Sequence, residues 1–117
     1  MLYELRRYDI NPVRWDEFLL WAEDRAWPIL QDQFGFRLVG RGQIIPKTGE
    51  TAPSTNYCYI LAWESEEEMR ERRGAASVSP AWESAMAETL DPGTGESKYF
   101  LQIQSALMQP MLHSPLQ

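Results

Sequence analysis

The chain has 117 residues and a net charge of -6, from 11 basic and 17 acidic side chains. This length suits one compact domain, and a hydrophobic share of 44% excludes a largely disordered chain. The acidic balance disfavours nucleic acid as a partner, and the lone Cys58 excludes a scaffold built on internal disulfides. With one cysteine and one histidine, we expect no metal site and no tightly bound cofactor.

The sequence contains neither a membrane-spanning segment nor a secretory signal, and both absences bear on where the protein is located in the cell. No apolar run in the sequence approaches the ~20 residues that span a membrane. The first residues, Met1 to Arg7, lack the apolar stretch of a secretory signal peptide. These features predict a cytoplasmic protein without a membrane span.

The first half of the chain predicts a strand, a helix and a second strand. Leu2–Tyr8 mixes aliphatic, aromatic and charged residues that divide between two faces with the period of a strand. Asn11–Pro12 pairs an N-cap side chain with the residue best suited to the first helical position. Apolar residues then recur at helical spacing, and Pro28 within them predicts a kink. A strand with a glycine bulge follows over residues 36–45, and a polar hairpin loop over residues 46–56.

The second half repeats the order of strand, helix and strand. Tyr57–Trp63 is apolar on both faces, which indicates a strand covered on both sides. Ser65–Glu68 is a capping box that begins a second helix, and Gly74 is expected to interrupt that helix. Ser79–Pro80 begins a further helical segment, and the last strand occupies residues 98–108.

This order predicts an α+β, ferredoxin-like βαββαβ domain with a four-stranded antiparallel sheet. Right-handed crossovers would place both helical segments on one face of the sheet. The opposite face is expected to carry a row too apolar to meet water, namely Tyr57, Tyr59, Leu61, Trp63 and Phe100. A second copy would cover this row, so we expect a homodimer. Residues 1–108 form the domain and residues 109–117 a C-terminal tail.

Two parts of the sequence resemble the NIPSNAP family. Tyr3–Tyr8, followed by a proline and a helix, is similar to the start of a NIPSNAP domain. Tyr59–Ser65, Glu71–Arg73 and Ser79–Trp82 are similar to its later part, and the resemblance covers roughly residues 2–108. It implies a dimeric α+β barrel, in which two subunits pair their sheets around a shared cavity. It implies no defined activity, because related barrel families include monooxygenases, isomerases and haem proteins.

A candidate ligand site follows from the strand alternation. Glu4, Arg6 and Tyr8 share one face of the first strand, beside aromatic and polar residues of its neighbours. Aromatic walls with a few converging polar groups are typical of a site for a small organic molecule. The expected lining is Glu4, Arg6, Tyr8, Arg41, Tyr57, Tyr59, Phe100, Gln102 and Gln104. Alternatively, Glu4 and Arg6 belong to an ion-pair network at the dimer interface.

Three functions are compatible with these patterns. The first is a homodimeric barrel protein that binds a small, partly apolar organic molecule in a cavity between the helix-free sheet faces. The second is a cofactor-independent oxygenase or isomerase of a phenolic or quinone-like substrate. Its proton acceptors and charge-stabilising groups would come from Glu4, Arg6, Tyr57 and Tyr59. The third is a structural partner protein that acts through its dimer surface.

The remaining cysteine, histidine, charged and tryptophan residues are interpreted as parts of the structure rather than as parts of a site. Cys58 lies in an apolar row and is interpreted as a buried thiol on the helix side of the sheet. His113 is interpreted as a tail residue, with a general base or metal ligand as the alternative. The charged run at residues 66–73 predicts a solvated helix face. Trp21 and Trp27 are expected either to pack within the subunit or to form an aromatic rim.

Overall fold

The computed structural model describes residues 1–49 and 55–116. Its elements in chain order are β1 (Leu2–Ile10), a 3₁₀ turn (Pro12–Arg14), α1 (Trp15–Trp21), two π-helical segments (Ala22–Ala26 and Ile29–Gln33), β2 (Arg37–Gln43), β3 (Tyr57–Trp63), α2 (Glu66–Ser77), α3 (Pro80–Ala87) and β4 (Phe100–Met108). The α+β class and the βαββαβ order are confirmed. The hairpin loop predicted over residues 46–56 lies partly outside the described residues. No helix within the described part of the chain is long and apolar enough to cross a membrane.

The sheet is antiparallel, with the strand order β2-β3-β1-β4. The first strand is therefore central, and its Arg6 lies between Tyr59 of β3 and Ser105 of β4. Two bulges interrupt the ladder. One lies between Leu38 and Gly40 of β2, and the other makes Leu101 of β4 an extra residue opposite the end of β1.

Side-chain caps explain where the helical segments begin. The Asn11 side chain accepts a hydrogen bond from the backbone of Val13, as the Asn-Pro pair predicts. The Ser65 and Ser79 hydroxyls cap α2 and α3 in the same way. The expected interruption at Gly74 is wrong, because α2 continues to Ser77. A single glycine costs only about 1 kcal/mol of helix propensity, and α2 is anchored at both ends by core contacts.

The first helix departs from regular α geometry on both sides of Pro28. The π-helical segments Ala22–Ala26 and Ile29–Gln33 flank this residue. Proline lacks a backbone donor, and wider π turns are a known way for a helix to accommodate a broken hydrogen-bond ladder. The helix ends at Gly35, whose φ of 65° is in the left-handed region that favours glycine.

The helices cover the sheet face that carries Tyr57, Tyr59, Leu61 and Trp63, so their expected position on the helix-free face is wrong. Trp63 and Leu61 are fully buried, and the rings of Trp63 and Phe36 lie 5.0 Å apart. Both faces of β3 are apolar, and alternation alone cannot tell which face the helices take. The larger aromatic side chains enter the core because burial there removes the most apolar surface from water.

The opposite face of the sheet carries smaller side chains. Leu5, Cys58 and Ile60 of the two central strands lie there and are only partly buried. The tail returns across this face at one end, where the Tyr3 hydroxyl donates a hydrogen bond to the Leu116 carbonyl. Apart from Tyr3, the strands β1 and β3 place no aromatic side chain on this face.

Candidate functional site

A cavity of about 250 Å³ lies between the helix-covered sheet face and the helices. Its aromatic lining consists of Tyr8, Phe18, Trp21, Trp27, Tyr57, Tyr59, Trp82 and Phe100. Ala22 and Ala26 also line the cavity, and their small side chains leave room where the helix passes over the sheet. The volume lies slightly below the ~300–1,000 Å³ typical of ligand pockets, which suits a molecule of one or two rings.

The cavity opens to solvent near β4. The Arg6 side chain, which lines the cavity, is 25% exposed, and Ile103 at the lining is 50% exposed. Tyr57 and Phe18 are almost completely buried. The cavity thus has a partly open end with a cationic side chain and a closed aromatic interior.

A buried carboxylate lies next to the open end. Glu4 is 2% exposed, and its Oε1 accepts hydrogen bonds from Arg73 Nε at 2.9 Å and from Trp63 Nε1 at 3.1 Å. Its Oε2 accepts from Arg6 Nε at 3.2 Å. A buried charge is costly unless it is paired and hydrogen-bonded, and Glu4 meets both conditions. One carboxylate and two guanidinium groups leave this cluster with one excess positive charge.

Arg73 also belongs to this cluster, whereas the charged run at residues 66–73 predicted a solvated side chain there. Its Nη2 donates to the Tyr59 hydroxyl at 3.4 Å, and its guanidinium lies 5.3 Å from the centre of the Phe36 ring. A signal was available, because Met69 and Ala76 contact the core at positions four residues before and three residues after Arg73. That spacing places Arg73 on the inner face of α2.

Two tyrosines form the polar wall of the cavity. The hydroxyls of Tyr8 and Tyr59 are 3.1 Å apart, and their rings are stacked with centres 5.7 Å apart. Burial raises the pKa of Tyr8 well above its usual value, the Tyr59 phenol adds to this, and Arg6 offsets it only in part. Tyr8 is therefore a neutral phenol at neutral pH, able to donate or accept a hydrogen bond.

Arg6 carries a permanent charge. Burial by itself lowers the pKa of Arg6, but the phenols of Tyr59 and Tyr8 and the Glu4 carboxylate raise it overall. The guanidinium at the open end is thus cationic at every accessible pH.

Trp27 lines the cavity and contacts both Tyr57 and Tyr59. Its Nε1 donates to the Tyr57 hydroxyl at 3.3 Å, and its ring meets Tyr59 edge to face at 4.8 Å. Arg41 lies over the outer side of Trp27, 5.8 Å from the ring centre, and forms an ion pair with Glu23. Burial raises the pKa of Tyr57, and hydrogen bonding from Trp27 and Arg41 opposes this only in part. Trp27 therefore packs within the subunit and also contributes to the cavity.

The structure brings most of the predicted site residues together. The cavity is lined by Arg6, Tyr8, Tyr57, Tyr59 and Phe100. Glu4 does not line the cavity, but its carboxylate forms an ion pair with Arg6. Arg41 lies outside the lining, over the ring of Trp27. These side chains meet below the helices, so the expectation that they line a cavity between helix-free faces is wrong.

Gln102 and Gln104 do not join this group. They pair with Asp9 and Arg7, whose side chains point to the helix-free face. The cause is the bulge at Leu101, which shifts the alternation of β4 so that Phe100 and Ile103 share the helix-covered face. Uninterrupted alternation along β4 had predicted that Gln102 and Gln104 share a face with Phe100.

The remaining chemistry-bearing residues lie away from the cavity. Cys58 is half-buried and pairs with Arg7, so it lies on the helix-free face and not on the helix side as expected. His113 is exposed in the tail, with a φ of 71°. Within residues 1–49 and 55–116, no group of three or more His, Cys, Asp or Glu side chains could hold a metal ion.

We expect stability to fall above pH 10 in part through Tyr8. Its pKa is raised from the ordinary 10.0 in the folded protein, so the unfolded chain releases this proton first. The stabilisation is complete below pH 10 and is lost as the pH rises, by roughly 1.4 kcal/mol per pH unit for one such group. Urea unfolding at several alkaline pH values should give a shallower decline for Tyr8→Phe than for the parent. Equal slopes would show that the phenol of Tyr8 is not held neutral by the fold.

Comparisons with known proteins agree with this architecture. A model of the NIPSNAP family matches residues 3–115. A NIPSNAP family protein with unknown function from Agrobacterium tumefaciens is 25% identical, with a TM-score of 0.78 over 100% of this chain and 94% of that chain. An uncharacterized NIPSNAP domain protein from Burkholderia xenovorans is 20% identical, with a TM-score of 0.75 over 98% and 99% of the two chains. A comparison with curated proteins gives no match.

The fold extends to more distant proteins. An antibiotic biosynthesis monooxygenase is 12% identical, with a TM-score of 0.56 over 95% of this chain and 99% of that chain. At this identity the likeness shows the ferredoxin-like fold alone, since one fold hosts many unrelated reactions.

Proposed function

The chain belongs to the NIPSNAP family, and we propose that it is a homodimer whose subunits each bind a small, partly apolar organic molecule between the sheet and the helices. The observation that carries this proposal is the cavity of about 250 Å³, with its aromatic interior and the guanidinium of Arg6 at its open end. An aromatic molecule would replace water against the rings, and its polar end would meet Arg6 and the Tyr8 hydroxyl.

The states of the polar groups favour binding over the alternative oxygenase or isomerase activity. Burial raises the pKa of Tyr8 and of Tyr57, so neither phenol supplies a base at neutral pH. The Glu4 carboxylate is engaged by Arg6, Arg73 and Trp63. These groups therefore hold and orient a molecule more readily than they remove a proton from it.

The test of this function is to fill the cavity. Ala26→Phe places a ring in the space between helix and sheet, and we expect it to weaken binding of a neutral probe, 2-naphthol, about tenfold or more. The matched control Ala75→Phe adds the same ring on the exposed face of α2 and should bind like the parent. Isothermal titration calorimetry measures both. Absence of saturable binding by the parent, or equal binding by the Ala26→Phe variant, would contradict the proposal.

Support for the dimer comes from apolar surface left outside the core. Leu5 and Ile60 on the helix-free face are only partly buried. The edge strand β4 leaves further large side chains exposed, namely Leu101, Ile103 and Leu107, of which Ile103 and Leu107 lie on the helix-covered side of the sheet. Exposed apolar side chains on a sheet mark an interaction site, and two-fold pairing lets one patch cover itself.

A charge in this surface should separate the subunits. The Ile60→Glu variant would bury an unpaired carboxylate at the centre of the proposed interface, so we expect a monomer at micromolar concentration. The parent should have twice the chain mass of 13.6 kDa. The control Val78→Glu adds the same charge at a residue 72% exposed on the helix side and should remain dimeric. Multi-angle light scattering distinguishes these outcomes, and a monomeric parent would overturn the dimer.

A further inference from the structure

The polar end of the cavity carries an unbalanced positive charge. Glu4 is the acidic side chain of the cluster, and both Arg6 and Arg73 bond to it. The neighbouring phenols of Tyr8 and Tyr59 face Arg6 and add no negative charge while protonated. The guanidinium of Arg41, which lies over Trp27 outside the cavity lining, already forms an ion pair with Glu23.

The two arginines of this cluster are not equivalent. Arg73 bonds to Glu4 through Nε and to Tyr59 through Nη2, and it also lies against the Phe36 ring. Within the part of the chain that the structure describes, Arg6 pairs with Glu4 through Nε, and its guanidinium also hydrogen-bonds to the Tyr8 hydroxyl, without a ring packed against it like that of Phe36 on Arg73. A guanidinium has five N–H donors in a planar fork, so the Nη groups of Arg6 retain donors for a ligand.

The occupant must offset this charge in a partly enclosed site. An aromatic cavity excludes much of the water that would otherwise solvate a cation, so an uncompensated guanidinium there is costly. A carboxylate matches the planar fork with two parallel hydrogen bonds, while a neutral amide of the same shape matches it less well. The aromatic walls at the same time select a ring for the rest of the molecule.

We propose that the cavity takes an aromatic carboxylate, a molecule of one or two rings whose carboxylate pairs with Arg6 at the open end. This inference rests on the proposed function, because it names the chemical class of the molecule bound at the same site. Arg6 is then the residue that determines specificity, and Arg73 holds Glu4 and Tyr59 in place.

The experiment compares 2-naphthoate with the neutral 2-naphthamide by isothermal titration calorimetry. We expect the parent to bind the carboxylate about tenfold or more tightly than the amide, and to lose part of this preference as salt is added. The Arg6→Met variant keeps an apolar stem and should bind both probes equally. The control Arg70→Met removes an arginine whose side chain is 74% exposed on α2, and should keep the full preference.

Each outcome decides the question. Equal affinities of the parent for the two probes, or a preference that survives in Arg6→Met, would overturn the carboxylate assignment and leave the proposed cavity binding intact. Failure of both probes to bind would overturn both proposals. If Arg6→Met does not fold, Arg6→Lys replaces it, because a lysine keeps the charge and loses the planar fork. We expect a reduced preference there, and an unchanged one would contradict the bidentate pairing.

Discussion

Replacing Glu4 by leucine is expected to lower the free energy of unfolding by about 3–5 kcal/mol. The carboxylate is buried, and its removal leaves the guanidiniums of Arg6 and Arg73 without their anion. It also leaves the buried indole N–H of Trp63 without an acceptor. Removing one partner of a buried ion pair is costly because the remaining charge has lost its water as well as its partner.

Urea unfolding of a matched set measures this effect. The control Glu66→Leu removes an exposed carboxylate paired with the exposed Arg70, and should change stability by less than about 1 kcal/mol. Glu4→Gln keeps one carbonyl acceptor without the charge, and should give an intermediate loss. A Glu4→Leu variant as stable as the parent would mean that this cluster does not hold β1 to β3 and α2.

Arg73→Leu is expected to cost about 2–4 kcal/mol, and Arg6→Leu about 1 kcal/mol or less, although both arginines bond to Glu4. Arg73 also bonds to Tyr59 and lies against Phe36, so its loss breaks two contacts between α2 and the sheet and a third with the residue before β2. Loss of Arg6 leaves Glu4 with Arg73 and Trp63. These losses of unfolding free energy are smaller than those expected for a fully buried ion pair, because both arginine side chains are 25% exposed.

The comparison separates a structural arginine from one available to a ligand. Thermal and urea unfolding of the two variants should give the larger loss for Arg73→Leu, with cooperative transitions for both. A larger loss for Arg6→Leu would reverse the roles that the contacts assign. Arg70→Leu, on the exposed face of α2, is the control and should be close to the parent.

The order and type of the elements could be predicted because local signals were strong. β3 is a short apolar run rich in aromatic residues, and the caps at Asn11, Ser65 and Ser79 place three helix starts. Which sheet face the helices cover could not be predicted in the same way. Tyr57 and Ile60 lie on opposite faces of a strand that is apolar on both, so the choice depends on how the aromatic side chains of the helix fit the sheet.

The site was predicted where it depends on a regular strand and missed where it depends on tertiary contacts. Arg6 and Tyr8 follow from alternation along β1, and both line the cavity. The glutamines of β4 were misplaced because one extra residue, Leu101, reverses the alternation. Arg73 was hidden in a run of charged residues whose composition indicates solvent exposure, although its helical position points to the core.

A crystal structure of the protein with 2-naphthoate tests the proposed site most directly. We expect the naphthyl ring inside each subunit, against Tyr8 and Trp27 and below the helix that carries Ala26. We also expect the carboxylate within hydrogen-bond distance of the Arg6 guanidinium. Ligand density between the helix-free faces of two subunits, with the cavity below the helices empty, would contradict the proposed site.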